Sequence, residues 1–109
     1  MYYFISDEHM GHNNILKYCG RPYKTIEEHD EDLIKRFNSV VTNNDVTVHA
    51  GDFTLSNKSK AENYVRRLNG RHHFLSGSHD YWLPSNAPTM WEKKIEGQSV
   101  IVCHYAMRV

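Results

Sequence analysis

Val46-Thr47-Val48-His49-Ala50-Gly51-Asp52 is the stretch on which the fold turns. It follows the turn signal Asn43-Asn44-Asp45 and reads as a strand. The strand ends in a glycine and a carboxylate, which strands otherwise disfavour, and Gly51 allows a tight turn just before Asp52. Upstream, Ile26, Leu33, Ile34, Phe37, Val40 and Val41 fall on one helical face. Thr25 is placed to cap that helix, with Glu28 three residues later. Downstream, Ala61, Tyr64, Val65 and Leu68 repeat at helical spacing as far as the stop signal Asn69-Gly70.

The same alternation extends outward. Residues 2–6 form a short apolar run and read as a strand, and residues 71–76 read as another. Residues 99–105 form a fourth, apolar on both faces and therefore expected at the centre of a sheet. A short helix is expected over residues 13–19, stopped by Gly20 and Pro22, and Pro84 and Pro88 mark an irregular stretch. Strands alternating with helices predict an α/β layered fold, and 109 residues suit one domain.

Composition narrows the function classes. Formal net charge is zero, so no overall field draws the chain to nucleic acid. No apolar run is long enough for a membrane span, and the N-terminus lacks the basic start of a secretory signal, so cytoplasmic residence is expected. Cys19 and Cys103 are expected as buried thiols rather than a disulfide. The acidic run Glu27 to Asp32 suits a helix N-terminus, where negative charge meets the positive end of the dipole. His29 within it is expected to be exposed.

The eight histidines are the compositional oddity, because imidazole is the commonest metal ligand. Strand ends in open α/β sheets are where ligands bind. Here they carry Asp7-Glu8-His9, Gly51-Asp52, Gly77-Ser78-His79-Asp80 and His104. Two neighbouring cations repel each other and need a bridging carboxylate, for which Asp52 is the natural choice. Asp7 and His9, two residues apart, share a face if the segment is extended and can hold one cation together. His104 would bind the second. Mixed oxygen and nitrogen ligands favour manganese, iron, nickel or zinc over calcium, manganese first. Two such cations would polarise a phosphoryl oxygen and activate water at neutral pH. His79 is assigned to the substrate side, where it would stabilise developing charge or protonate the leaving oxygen, with Asp80 orienting its ring.

Taken singly, Asp7, His9 and Asp52 would pass for turn and cap residues; as an ordered set they do not. His12 could contact a substrate phosphate, and Asn13 is read rather as a helix cap. His49 is either a supporting residue behind Asp52 or a packed strand histidine. At least one of His72 and His73 must face solvent or polar groups. Trp82 and Trp91 are expected as core or pocket wall.

The motif series resembles the calcineurin-like metallophosphoesterases, whose pattern runs D-x-H, G-D, G-N-H-[DE], a lone His and then G-H-x-H. The resemblance covers essentially the whole chain and points to small single-domain bacterial or phage-type members. It implies an α/β/β/α sandwich, two divalent metal ions and hydrolysis of a phosphate ester, with nucleotides or nucleic acids among the candidate substrates. It implies Asp7 and His9 as ligands of the first metal, Asp52 as bridge and His104 as a ligand of the second. It implies His79 and Asp80 as the catalytic pair. Two positions depart from the pattern. Ser78 stands where the family has a metal-binding asparagine, and its shorter hydroxyl is a poorer ligand. The terminal G-H-x-H is absent, so residues 1–109 are expected to be a C-terminally incomplete domain. The alternative is a catalytically weak or inactive binding module of the same fold. A second copy of the chain could also supply the missing ligands.

Overall fold

The computed structural model describes residues 1–12, 16, 21–54, 56–77 and 80–104. The chain runs β1 (Tyr2–Ile5), α1 (Ile26–Val40), β2 (Val46–His49), α2 (Lys58–Arg67), β3 (Arg71–Phe74), β4 (Met90–Ile95) and β5 (Gln98–Cys103). The first three strands form a parallel sheet in the order β1-β2-β3. Tyr2 pairs with Val46 and Ile5 with His49, and His49 in turn pairs with Phe74. This is a mixed α/β domain. The short helix expected over 13–19 lies almost wholly outside the described residues.

Local chemistry explains the helix limits. The Thr25 side chain accepts a hydrogen bond from the Glu28 amide at 3.2 Å, and Glu27 and Glu28 sit in the first turn of α1. Asn57 caps α2 by accepting from the Lys60 amide at 3.0 Å, and Arg66 and Arg67 occupy its last turn. The helices pack on one face of the sheet through a core of Met10, Ile34 and Phe53, joined by Leu33, Tyr64, Phe74 and Trp82.

Three expectations are corrected. The last strand is not central: β5 pairs with β4 alone among the described residues, in a separate antiparallel hairpin. Its apolar run is half exposed, because Ile101 lies on the open side at 44% exposure. The stretch read as irregular contains β4, whose charged Glu92, Lys93 and Lys94 hid it. Lys93 is exposed, and its ammonium stands 4.8 Å from the centroid of the Tyr2 ring. Glu96 and Gly97 both have positive φ, 51° and 79°, as a two-residue type I′ hairpin turn requires. Trp91 fixes the hairpin by resting against Tyr2, Phe4 and His73 at centroid distances of 5.9, 5.8 and 6.2 Å.

The third correction concerns the acidic run. His29 is fully buried, not exposed. Its Nδ1 lies 2.9 Å from the buried carboxylate of Asp30, which also accepts from the Gly11 amide and the Tyr64 hydroxyl. Glu27 and Glu28 are the exposed members that meet the helix dipole.

Candidate metal centre

The pairing of β1 with β2 does not stop where the strands do. Ala50 N–H donates to Ile5 C=O, Asp7 N–H to Gly51 C=O, His9 N–H to Asp52 C=O and Met10 N–H to Phe53 C=O, all at 2.8–3.0 Å. Two loops are thus zipped side by side beyond the sheet edge. Within them Asp7, His9 and Asp52 adopt left-handed backbone conformations, with φ of 57°, 52° and 56°. Such conformations cost an L-residue roughly 1–2 kcal/mol each, less for aspartate, and concentrate at functional sites. Asp7 and His9 are therefore not held together by an extended backbone, as their spacing suggested. The zipper holds them.

Side chains converge where the strain is stored. Ligand atoms of Asp7, Asp52 and His104 all lie within 4.8 Å of one another. His9 Nε2 stands 3.8 Å from Asp7 Oδ1 and 3.9 Å from Asp52 Oδ2, and His104 Nε2 is 3.4 Å from Asp52 Oδ2. Two ligand atoms bonded at about 2.1 Å to one cation stand about 3–4 Å apart, so these spacings fit a shared ion.

The tautomer supports the same fit. His104 Nδ1 lies 3.1 Å from the Ala50 carbonyl, which can only accept, so the ring proton sits on Nδ1. In the neutral ring Nε2 then turns a lone pair toward a carboxylate oxygen. Two acceptors at that distance need a positive charge between them, either a proton or a cation. A backbone carbonyl orienting the second ring nitrogen is the usual support for a metal-binding histidine.

Backbone and buried polar groups hold the arrangement. A Cβ on Gly51 would stand 2.6 Å from His104 Nδ1 and 2.9 Å from Gly77 Cα, so only glycine lets the His104 ring lie against this turn. A Cβ on Gly77 would meet Asp52 Oδ1 at 2.6 Å. Asp80 is buried, and its carboxylate accepts from the amides of Asp52, Phe53 and Gly77 and from the Trp82 indole. It thereby ties the Gly51-Asp52 turn to the Gly77 loop. Arg21 clamps the other loop, donating to the carbonyls of Asp7 at 2.7 Å and Glu8 at 2.9 Å.

Burial lowers the pKa of His9, with Asp52 opposing the shift. His9 thus favours the neutral form that ligates metals. Its Nδ1 lies 3.1 Å from Nδ1 of His12, which places His12 beside the cluster.

Asp7, His9, Asp52 and His104 come together as expected. Ser78 and His79 lie outside the described residues. Asp80 is placed as a backbone staple, a role its sequence context did not suggest. His49 is a packed strand histidine, stacked on Phe74 with centroids 4.3 Å apart. His73 is exposed and His72 half-buried. Glu8 and Arg21 were not anticipated. Glu8 is buried, and its carboxylate meets His49 Nδ1 at 3.0 Å. No helix of the described residues is long and apolar enough to cross a membrane.

No family model matches the chain. The chain is similar to an uncharacterized protein, MJ1445, of Methanocaldococcus jannaschii, at 46% identity over 80 residues. That match covers 72% of this chain and 46% of the archaeal protein, so the chain spans about half the length of this relative. Among solved structures it is similar to AQ665 of Aquifex aeolicus, a protein of unknown function, with a TM-score of 0.75 and 26% identity. The likeness covers 96% of this chain and 60% of that one.

Proposed function

We propose that this chain carries the metal site of a phosphate-ester hydrolase of the calcineurin-like metallophosphoesterase type. In this reading the parallel sheet and the β4–β5 hairpin belong to the two facing sheets of an α/β/β/α sandwich. One observation carries the proposal: Asp7, Asp52 and His104, delivered by the ends of β1, β2 and β5, bring their ligand atoms within 4.8 Å of one another. Asp7, His9 and Asp52 would hold one divalent cation, and Asp52 and His104 the other, with manganese favoured. When bound, the cations would supply Lewis acidity toward a phosphoryl oxygen and make water a better nucleophile.

The chain's own groups do the positioning. Asp52 is buried while the Asp7 side chain is 53% exposed, so the cluster opens to solvent on the Asp7 side, where a phosphate ester could approach. Arg21 and Asp80 fix the two loops before substrate arrives, which limits reorganisation during reaction. His79, next to Asp80 in sequence, is assigned the proton for the leaving oxygen.

The test uses the purified chain with manganese and an aryl phosphodiester, with an aryl phosphomonoester in parallel. Turnover should need the metal and disappear in Asp52→Asn; undiminished turnover in that variant refutes the proposal. Manganese at a hundred times its Kd should also stabilise the fold by about 2.7 kcal/mol. A second reading, a metal-binding module with little or no catalysis, is favoured by the single ligand group found among the described residues. One cation per chain by metal analysis, without turnover, would select it.

A further inference from the structure

Asp7 and His9 lie on a loop whose left-handed backbone conformations must be held in place, and α1 takes hold of that loop at both ends. At the start, Arg21 donates from Nη2 to the Asp7 carbonyl and from Nη1 to the Glu8 carbonyl. The same Nη1 meets Nε2 of His29, on α1. At the end, Asp30 takes the Gly11 amide with both carboxylate oxygens, each at 3.0 Å. Neighbouring residues of one helix therefore bracket the segment that carries two of the metal ligands. Both are buried, His29 completely, and the ligand set uses neither.

The protons along this chain of contacts follow from the groups involved. A guanidinium has only donors, so His29 accepts at Nε2. Its ring proton then lies on Nδ1, facing Asp30 Oδ1 at 2.9 Å. Tyr64 donates its hydroxyl to Asp30 Oδ2 at 3.1 Å. Tyr23 stands edge-on to the imidazole, with centroids 5.5 Å apart and an interplanar angle of 83°. Nη1 has two hydrogens, one for Glu8 and one for His29. Because the guanidinium is planar, the bond to His29 also fixes the direction in which Nη2 reaches Asp7.

We propose that His29 is a positioning residue for the metal-binding loop: held by Asp30, it aligns Arg21 so that Asp7 and His9 keep their place in the cluster. That purpose rests on the metal-site reading, whereas the grip itself is measurable without metal. A pair that merely stabilised α1 would affect this loop no more than the rest of the fold.

The test follows amide hydrogen exchange in the metal-free full chain, in His29→Asn and in His29→Gln. A Gln carbonyl oxygen reaches the place of Nε2 and keeps an acceptor for Arg21. An Asn amide reaches only the place of Nδ1, beside Asp30. The Asp7 and His9 amides bond the carbonyls of Gly51 and Asp52. In His29→Asn they should exchange roughly 10–100-fold faster, the weight of one charge-assisted hydrogen bond. Val65 of α2 should keep its parental rate, and His29→Gln should follow the parent throughout. The manganese Kd, read by calorimetry, should rise about 10–100-fold in His29→Asn and recover in His29→Gln. Arg21→Met should match His29→Asn, and combining the two should add nothing, because both break one linked contact. Equal exchange at Asp7 and His9 in the Asn and Gln variants overturns the proposal, as do additive losses in the double variant. If His29→Asn does not fold, parental exchange at those amides in Arg21→Met overturns it instead. The expected exchange pattern in a chain that takes up no manganese would refute the hydrolase reading and leave the positioning of the loop by His29 standing.

Discussion

Replacing Gly51 by alanine tests the centre of the site through one methyl group. Gly51 has φ of 120°, and its added Cβ would stand 2.6 Å from His104 Nδ1, 2.8 Å from His104 Cγ and 2.9 Å from Gly77 Cα. Gly97 is the internal control: its φ is 79°, yet a Cβ there meets nothing within 4 Å. Both variants lose unfolded-chain entropy equally, which offsets roughly 0.4–1 kcal/mol in each. Gly97→Ala should therefore lose only the backbone term, about 1 kcal/mol. Gly51→Ala adds overpacking of about 1–3 kcal/mol and a backbone conformation costing about 1–3 kcal/mol. At about 4–8 °C per kcal/mol for a domain near this size, thermal melts should separate the two variants by about 10 °C. The double variant Gly51→Ala with His104→Ala should recover part of the loss, because the ring that blocks the methyl is gone. Equal midpoints for the two glycine variants, or no recovery in the double variant, would show that His104 does not lie on this turn.

Asp80→Asn places an amide donor among N–H groups that need an acceptor, and should destabilise by about 3 kcal/mol in urea titrations. It should also weaken manganese binding, since Asp80 bonds the Asp52 amide directly. Thr25→Ala removes the cap of α1 and should cost about 1 kcal/mol by the same assay, leaving metal affinity unchanged. Burial lowers the His72 pKa from its ordinary value of 6.5. The neutral ring is the form the fold prefers, so this stability is intact above that value and is lost as pH falls through the lower folded value. Glu8, raised by burial, acts with the opposite sign: its contribution is present at low pH and lost as pH rises through its raised value. His72→Asn keeps a polar side chain beside His49 without titrating, so its urea midpoint should fall less between pH 7.5 and 5.5 than that of the parent chain. Equal slopes would contradict this reading.

Much of the architecture was legible because periodicity and caps agreed. Thr25 and Glu28 announced α1, and Asn69-Gly70 marked the end of α2. The β4 strand was hidden because charge patterning cannot show that Lys93 covers an aromatic ring. The apolar run of β5 suggested burial on both faces, yet pairing with one neighbour left it half open. At the site, residue identity was enough to nominate Asp7, His9, Asp52 and His104. What supports them was not legible. Glu8 reads as a spare acid in D-E-H and turns out to be buried against His49. Arg21 sits in a loop with no motif, and only its geometry shows that it clamps two carbonyls. His29, in an acidic helix start, gave no sign of being fully buried beside Asp30.

The cluster draws on residues from nearly opposite ends of the described chain, Asp7 just past the first strand and His104 just past the last. No local segment can form it in advance. A cation shared by these residues would act as a cross-link closing a very long loop, and long closures restrict the unfolded chain most. Such a bond also comes late, since contacts so distant in sequence form only after the intervening sheet is in place. Tight metal uptake would thus report the completion of folding, and a chelator would lower the barrier to opening at the seam between the sheet and the hairpin first.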